Sequence, residues 1–89
     1  MATKMMIIMY TGENCGKCKR AKEMLENCPV DIEIIERNID ESTDARDYLV
    51  SVIESNTLPT LVFVENNEDK HIFRGFDENI GKIMEHLGL

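Results

Sequence analysis

The sequence predicts a small α/β domain whose elements follow the order β-α-β-α-β-β-α. Continuous apolar runs alternate with segments in which apolar residues recur at helical spacing. The chain has 89 residues, so we expect a single domain spanning residues 1–89. Its hydrophobic content of 43% is enough for a packed core. A right-handed crossover would make the first two strands parallel, and a hairpin would make the last two antiparallel.

The first half of the chain predicts two strands and two helices. Residues 5–10, "MMIIMY", form the apolar run expected of a strand buried on both faces. A helix follows from Cys18, and it must end by Cys28 because Pro29 disfavours helical geometry in the preceding residue. The isoleucines of residues 32–35 predict the second strand. The apolar residues that predict a second helix of three turns are Ala45, Tyr48, Leu49, Val52 and Ile53.

The second half predicts a hairpin and a last helix. "LPTLVFVE", residues 58–65, is typical of a buried strand, "NNED" at 66–69 of a turn, and "KHIFR" at 70–74 of a second strand. Gly75 ends that strand, and Asp77 is expected to cap the last helix. The apolar residues of this helix are Ile80, Ile83, Met84 and Leu87.

Composition excludes several classes of protein. The net charge of −7 argues against a nucleic-acid-binding protein, because such proteins neutralise phosphates with Lys and Arg. No apolar run approaches the roughly 20 residues that span a membrane. The opening "MATKMMIIMY" is too short for a signal peptide and has no small-residue cleavage site. We therefore expect a cytoplasmic monomer, and in the cytoplasm a close cysteine pair is more often catalytic or metal-binding than structural.

Cys15 and Cys18 are the strongest candidates for chemistry. Cys15 falls between the first strand and the first helix, where unpaired N–H groups and the helix dipole favour a thiolate. We therefore expect its pKa to lie below that of a free thiol. Cys18 lies one turn further on, faces the core and should remain a thiol. The basic residues that add a local positive field are Lys17, Lys19, Arg20 and Lys22.

This asymmetry predicts a thiol–disulfide exchange mechanism. The Cys15 thiolate would attack a substrate disulfide and form a mixed disulfide. Cys18 would then attack the Cys15 sulfur, release the reduced substrate and leave the pair oxidised. Gly16 makes the turn between the two cysteines easy to form.

Two questions remain open at this point: whether the cysteine pair binds zinc instead, and what role Cys28 has. The pair could hold zinc, although zinc commonly takes four ligands, and the remaining candidates, Cys28, His71 and His86, lack a matching spacing. We assign the histidines no role. Cys28 is expected to be a half-buried small hydrophobe, with a regulatory or dimerising thiol as the alternative.

Pro59, in the segment "TLPT", also has two interpretations. It could simply begin the third strand, where the missing ladder donor does no harm. Alternatively, a cis Leu58–Pro59 bond would turn the Leu58 backbone outward beside the cysteines, where an extended peptide or a thiol tripeptide could pair with it.

Taken together, "YTGENCGKC", "TLP" and "RGFDE" resemble the glutaredoxins over essentially the whole chain. The resemblance implies a minimal thioredoxin fold with sheet order 2-1-3-4, three flanking helices and a cis Pro59. It implies Cys15 as nucleophile and Cys18 as resolving thiol. It also implies glutathione as a co-substrate, with no tightly bound cofactor and no metal. The implied glutathione-binding residues are Thr57, Leu58, Pro59, Gly75, Phe76 and Asp77.

The sequence departs from the glutaredoxin pattern at three places. Gly16-Lys17 replaces the usual Pro-Tyr, Gly12 stands where a glutathione-binding lysine is usual, and Arg74 replaces the first of two glycines. Lys17 or Arg74 is a candidate to supply the missing positive charge. Some small glutaredoxin-like proteins take electrons from thioredoxin reductase and pass them to ribonucleotide reductase. A reductase of that type and disulfide-bearing proteins, ribonucleotide reductase included, are therefore expected partners. The rival hypothesis is a module that binds zinc or a shared iron–sulfur cluster through the same cysteines.

Overall fold

The computed structural model describes residues 5–65 and 68–88. Asn66 and Asn67, at the start of the predicted "NNED" turn, and the opening residues 1–4 lie outside the described residues. The elements formed by the described residues are β1 (Met5–Thr11), α1 (Gly16–Asn27), β2 (Ile32–Asn38), α2 (Thr43–Ser51), β3 (Thr60–Glu65), β4 (Glu68–Arg74), a 3-10 turn (Asp77–Asn79) and α3 (Ile80–His86). None of the helices in these two ranges is long and apolar enough to span a membrane.

The four strands form one mixed sheet in the order β2-β1-β3-β4. Strands β1 and β2 are parallel, with Thr11 opposite Asn38. Strand β3 runs antiparallel to β1, with Tyr10 opposite Thr60, and β4 runs antiparallel to β3. The predicted fold and strand order are confirmed. The C-terminal end of β1 lies beside the N-terminal end of β3. The loops that carry Cys15 and Pro59 therefore lie at the same end of the sheet.

The two central strands are buried on both faces, as the apolar runs predict. One face packs against α1 and α3, and the other packs against α2. Burying each large apolar side chain of this kind contributes roughly 1.5–3 kcal/mol relative to leaving it exposed. The buried strand residues are Ile7, Met9, Leu61 and Phe63 on the first face and Tyr10 and Val62 on the second.

Helices α1 and α2 begin at side-chain caps. Cys15 caps α1, and the Ser42 hydroxyl accepts a hydrogen bond of 3.2 Å from the Ala45 N–H at the start of α2. Helix α1 ends at Asn27, as Pro29 predicts. Helix α2 ends at Ser51, earlier than expected. Val52 is 60% exposed, so the assignment of Val52 to the buried face of the helix was wrong.

The last helix begins differently from the prediction. Residues 77–79 form a 3-10 turn, and α3 starts only at Ile80. Asp77 makes no capping hydrogen bond; its carboxylate instead accepts a hydrogen bond of 3.1 Å from the Arg20 guanidinium of α1. The predicted cap was wrong because an ion pair across the fold engages this side chain.

Candidate active site around Cys15 and Cys18

Cys15 and Cys18 form a disulfide bond at the start of α1, with their Cα atoms 5.3 Å apart. The Cys15 Sγ occupies the capping position and accepts a hydrogen bond of 3.1 Å from the Cys18 N–H. Cys15 is half-buried, whereas Cys18 is only 4% exposed. A partner can therefore approach the Cys15 sulfur more readily than the Cys18 sulfur.

The loop before β3 is held by a hydroxyl network beneath it. The Thr60 Oγ1 donates to the Thr57 carbonyl oxygen over 2.6 Å and lies 2.8 Å from the Ser55 Oγ. The Thr57 N–H in turn donates to the Ser55 Oγ. Ser55 and Thr60 are buried, and the Leu58–Pro59 peptide bond is cis. The network holds Thr57 and Leu58 in a defined conformation at the end of the sheet where β3 begins.

A polar cavity of about 290 Å³ opens beside the cysteine pair. Its wall includes Glu36, whose carboxylate accepts hydrogen bonds from the Lys22 ammonium at 2.8 Å and the Thr11 hydroxyl at 2.9 Å. These two donors lower the pKa of Glu36, and the carboxylate raises the pKa of Lys22. The residues lining this cavity are Thr11, Gly12, Glu13, Cys15, Cys18, Lys19, Lys22, Glu36 and Asn38.

A second cavity, of about 220 Å³, lies beside Leu58 and was missed by sequence reasoning. Arg46 places a cation in this largely apolar wall and also pairs with Asp40 over 3.0 Å. The sequence carried one indication of this position. Arg46 lies three residues before the buried Leu49, so it borders the face of α2 that packs on the core. The residues lining this cavity are Ile39, Arg46, Leu49, Val50, Ser55, Asn56 and Leu58.

The predicted glutathione contacts after β4 are only partly available to a ligand. The Gly75 N–H donates to the Pro59 carbonyl oxygen over 2.9 Å. This hydrogen bond brings the segment against residues 55–59, here called the cis-proline loop. Phe76 is 4% exposed and its side chain packs in the core. Asp77 is exposed but engaged with Arg20.

Arg74 and Lys17, the two residues proposed to replace the missing lysine, differ in whether the side chain is free to contact a ligand. Arg74 donates to the Ile53 carbonyl oxygen over 2.7 Å, so this side chain is engaged with the protein's own backbone. Lys17 is exposed on the first turn of α1, next to the cysteines. Of the two, Lys17 is therefore the better candidate for a ligand contact.

Gly12, at the position of the family's lysine, is closely packed. A Cβ added there would lie 3.0 Å from the Leu58 Cδ1 and 3.2 Å from the Asp40 Oδ2. The Glu13 N–H donates to the same Asp40 oxygen over 2.9 Å. Leu58 and Asp40 thus take up the space that a side chain at position 12 would enter.

The remaining cysteine, Cys28, and the two histidines lie away from the end of the sheet that carries Cys15 and Pro59. The Cys28 thiol is half-buried and donates to the Leu25 carbonyl oxygen over 3.2 Å. The rings of His71 and His86 pack edge to face beside Phe63. Within residues 5–65 and 68–88, no group of three or more His, Cys, Asp or Glu side chains is arranged to hold a metal ion.

Comparisons with known proteins agree on the fold. The structure of the thioredoxin-like protein BC3987 is 30% identical, with a TM-score of 0.68, and the match covers 91% of this chain and 97% of that one. Fasciola hepatica thioredoxin is 18% identical with a TM-score of 0.68, covers 96% of this chain and 79% of its own, and supports the fold alone. No curated protein matches the chain significantly.

A comparison with protein-family models identifies the sequence family. The Glutaredoxin model matches residues 7–69, a segment that runs from β1 into β4 and contains the cysteine pair, the cis-proline loop and both cavities described above. This segment is more than half of the 89 residues. The chain therefore belongs to the glutaredoxin family, within the thioredoxin superfamily.

Proposed function

We propose that this protein is a dithiol thiol–disulfide oxidoreductase that reduces disulfides through Cys15 and Cys18. The observation that carries the proposal is the half-buried Cys15 sulfur at the start of α1, with the buried Cys18 one turn behind it. Family membership supports the same class of reaction. The Cα atoms of the two cysteines are 5.3 Å apart, a separation that a disulfide bond can span.

In the reductive direction, the Cys15 thiolate attacks one sulfur of a substrate disulfide. The substrate S–S bond breaks, one substrate thiolate leaves and takes a proton from water, and the other half stays bonded to Cys15. Cys18 then loses its proton and attacks the Cys15 Sγ, which releases the second substrate thiol. The substrate gains two electrons, and the Cys15–Cys18 disulfide must then be reduced by an external thiol or flavoprotein reductase.

The segment at Thr57 and Leu58 is the proposed docking site for the substrate backbone. It lies at the same end of the sheet as Cys15, and hydrogen bonds of Ser55 and Thr60 hold its conformation. An extended peptide or a thiol tripeptide can pair with an exposed backbone segment of this kind. A carboxylate at the end of such a ligand would reach the cavity beside Leu58, where Arg46 supplies the positive charge.

We further propose glutathione as co-substrate, with Arg46 and Lys17 facing its glycyl carboxylate. A thioredoxin-reductase-type enzyme is the alternative electron source. The acceptors would be disulfide-bearing proteins, with ribonucleotide reductase as one candidate. The protein would act as a cytoplasmic monomer without a tightly bound cofactor.

The proposed mechanism is tested by three matched cysteine variants in a disulfide-reduction assay. We expect Cys15→Ser to abolish reduction, since no thiolate remains to attack the substrate. Cys18→Ser should retain only reactions that one protein thiol can complete with glutathione. Cys28→Ser is the control and should keep full activity. Full activity in Cys15→Ser, or stoichiometric metal in anaerobically purified protein that is lost in this variant, would contradict the proposal and favour a metal-binding module.

The electron source is tested by driving the same assay with either of two reducing systems. We expect turnover with glutathione and glutathione reductase. The KM for a glutathionylated substrate should be raised by the missing lysine at position 12 and should rise further with added salt. One exposed charged contact is worth about 1 kcal/mol or less, roughly fivefold in affinity. Turnover with thioredoxin reductase and none with glutathione would refute the glutathione assignment while leaving the dithiol mechanism in place.

A further inference from the structure

Asp40 joins the loop before Cys15 to the helix that carries Arg46. Its Oδ2 accepts a hydrogen bond of 2.9 Å from the Glu13 N–H, two residues before the nucleophile. Its Oδ1 accepts one of 3.0 Å from the Arg46 guanidinium. The Asp40 and Arg46 side chains are 39% and 54% exposed, so a ligand can reach both. One carboxylate therefore contacts the active-site loop and the cation of the neighbouring cavity at once.

Arg46 is the one charged side chain among the described residues that line the cavity beside Leu58. A substrate carboxylate entering this cavity would have to share the guanidinium with Asp40, which carries the same charge as the substrate. The attraction that Arg46 offers to an anion is therefore partly cancelled before the substrate arrives.

Position 12, where glutaredoxins usually carry a lysine, has little free space for a side chain. A Cβ at position 12 would lie 3.2 Å from the Asp40 Oδ2 and 3.0 Å from the Leu58 Cδ1. A longer basic side chain could enter only if Asp40 or Leu58 moved. The bond from the Glu13 N–H opposes a movement of Asp40. The Asp40 carboxylate thus contributes, together with Leu58, to the close packing at position 12 and also pairs with Arg46.

We propose that Asp40 is a specificity-determining residue that weakens binding of disulfides carrying a free carboxylate beside the reacting sulfur, because it competes with that carboxylate for Arg46. The inference rests on the proposed function, because it concerns which disulfides reach Cys15. Uncharged disulfides, including those within protein chains, do not depend on Arg46 and would bind equally well with or without the Asp40 charge. An exposed pair of this kind contributes a modest free energy, so we expect a weakening of about two- to fivefold.

Replacing Asp40 by Asn separates its two contacts. The Asn carbonyl oxygen can still accept the Glu13 N–H, while the uncharged amide no longer neutralises Arg46. Asp47→Asn, one residue after Arg46 on the exposed side of α2, is the matched control because it changes the net charge equally. Arg46→Gln, and the double variant with Asp40→Asn, test whether any effect passes through the guanidinium.

The substrates are oxidised glutathione and its bis-glycinamide, which differ only in the charge of the glycyl ends. Reduced protein is mixed with increasing concentrations of each disulfide, and the loss of protein thiols gives a limiting rate and a half-saturating concentration. For Asp40→Asn we expect the half-saturating concentration of oxidised glutathione, relative to the amide, to fall about two- to fivefold. The change should shrink with added salt, disappear in the double variant and be absent in Asp47→Asn.

Four outcomes would count against these proposals. An equal shift for both disulfides, or a fall in the limiting rate for both, would show that Asp40 acts only by holding the loop and would overturn the inference. Persistence of the effect in the double variant would show that Arg46 is not involved and would overturn it as well. Wild-type protein that neither disulfide oxidises at Cys15 and Cys18 would instead refute the proposed function.

Discussion

The Cys18 N–H donates a hydrogen bond of 3.1 Å to the Cys15 Sγ, so the helix that buries one cysteine also presents a donor to the other. In the reduced protein, the same N–H would face a thiolate rather than a disulfide sulfur. Hydrogen bonds to a charged acceptor are stronger than those to a neutral one. The start of α1 thus offers a hydrogen-bond donor that would stabilise a thiolate at the half-buried Cys15.

We predict that the pKa of Cys15 in the reduced protein lies below that of a free cysteine thiol, because the start of α1 and nearby lysines stabilise the thiolate. Thiolate absorbance followed against pH, with Cys18 and Cys28 replaced by Ser, measures it. Lys17→Gln should raise the midpoint slightly. A midpoint equal to that of a free thiol would show that Cys15 is not activated by its surroundings.

We predict that an alanine at position 12 stabilises the protein less than an alanine at position 81 does. For the added Cβ of Gly12→Ala, the Leu58 Cδ1 and the Asp40 Oδ2 must give way by a few tenths of an ångström, which offsets the gain from replacing a glycine. Gly81 lies inside α3 with open space around its Cα, so Gly81→Ala should stabilise by up to about 1 kcal/mol. Chemical denaturation of the two variants measures both values. Equal gains in stability would contradict the close packing inferred at position 12.

We predict that Ser55→Ala lowers the free energy of unfolding by about 1–3 kcal/mol, because the Thr57 N–H loses its acceptor and the Thr60 hydroxyl loses a partner. Ser51→Ala is the matched control, since Ser51 is exposed at the end of α2 and its loss should change stability by less than about 0.5 kcal/mol. Urea denaturation distinguishes the two. Equal effects would show that the network beneath the cis-proline loop adds no stability.

We predict that the stability difference between wild type and Glu36→Gln depends on pH. Hydrogen bonds from Lys22 and Thr11 lower the pKa of Glu36, so its contribution is present above its unfolded pKa and lost as pH falls through the lower, folded value. The raised pKa of Lys22 means that the partner's contribution fades only in the alkaline range. The melting temperature of Glu36→Gln should therefore lie below that of wild type near neutral pH, and the two should converge in acid.

Glu33→Gln, on the exposed side of the same strand, is the control for this experiment. It should lack most of the acid dependence. A difference between wild type and Glu36→Gln that stays constant from neutral to acid pH would contradict the role assigned to the Lys22 and Thr11 hydrogen bonds.

The sequence predicted those features that depend on local pattern. Apolar runs identified β1 and β3, and Pro29 identified the end of α1. The position of Cys15 at the start of that helix also followed, because a polar loop before a periodic segment places the boundary residue there. Each of these predictions needed only residues close together in the chain.

The features that escaped prediction depend on side chains that meet across the fold. Asp77 pairs with Arg20, 57 residues away, and therefore does not cap a helix. Asp40 binds the Glu13 N–H, 27 residues away, and no periodicity reports such a contact. Arg46 could be placed on a helix from the sequence, but its cavity depends on how the loop containing Leu58 packs against that helix.

The central position of β1 has a consequence for synthesis of the protein on the ribosome. Both strands that flank β1 are made after it, and β3 begins only at Thr60. A nascent chain that has reached the end of α2 can pair β1 along one edge only, leaving the backbone groups of its other edge without the β3 partners that cover them in the finished sheet. Such an edge can pair with other chains. Arrested chains ending before Thr60 should therefore be more prone to aggregation and to chaperone binding than chains that extend past β3.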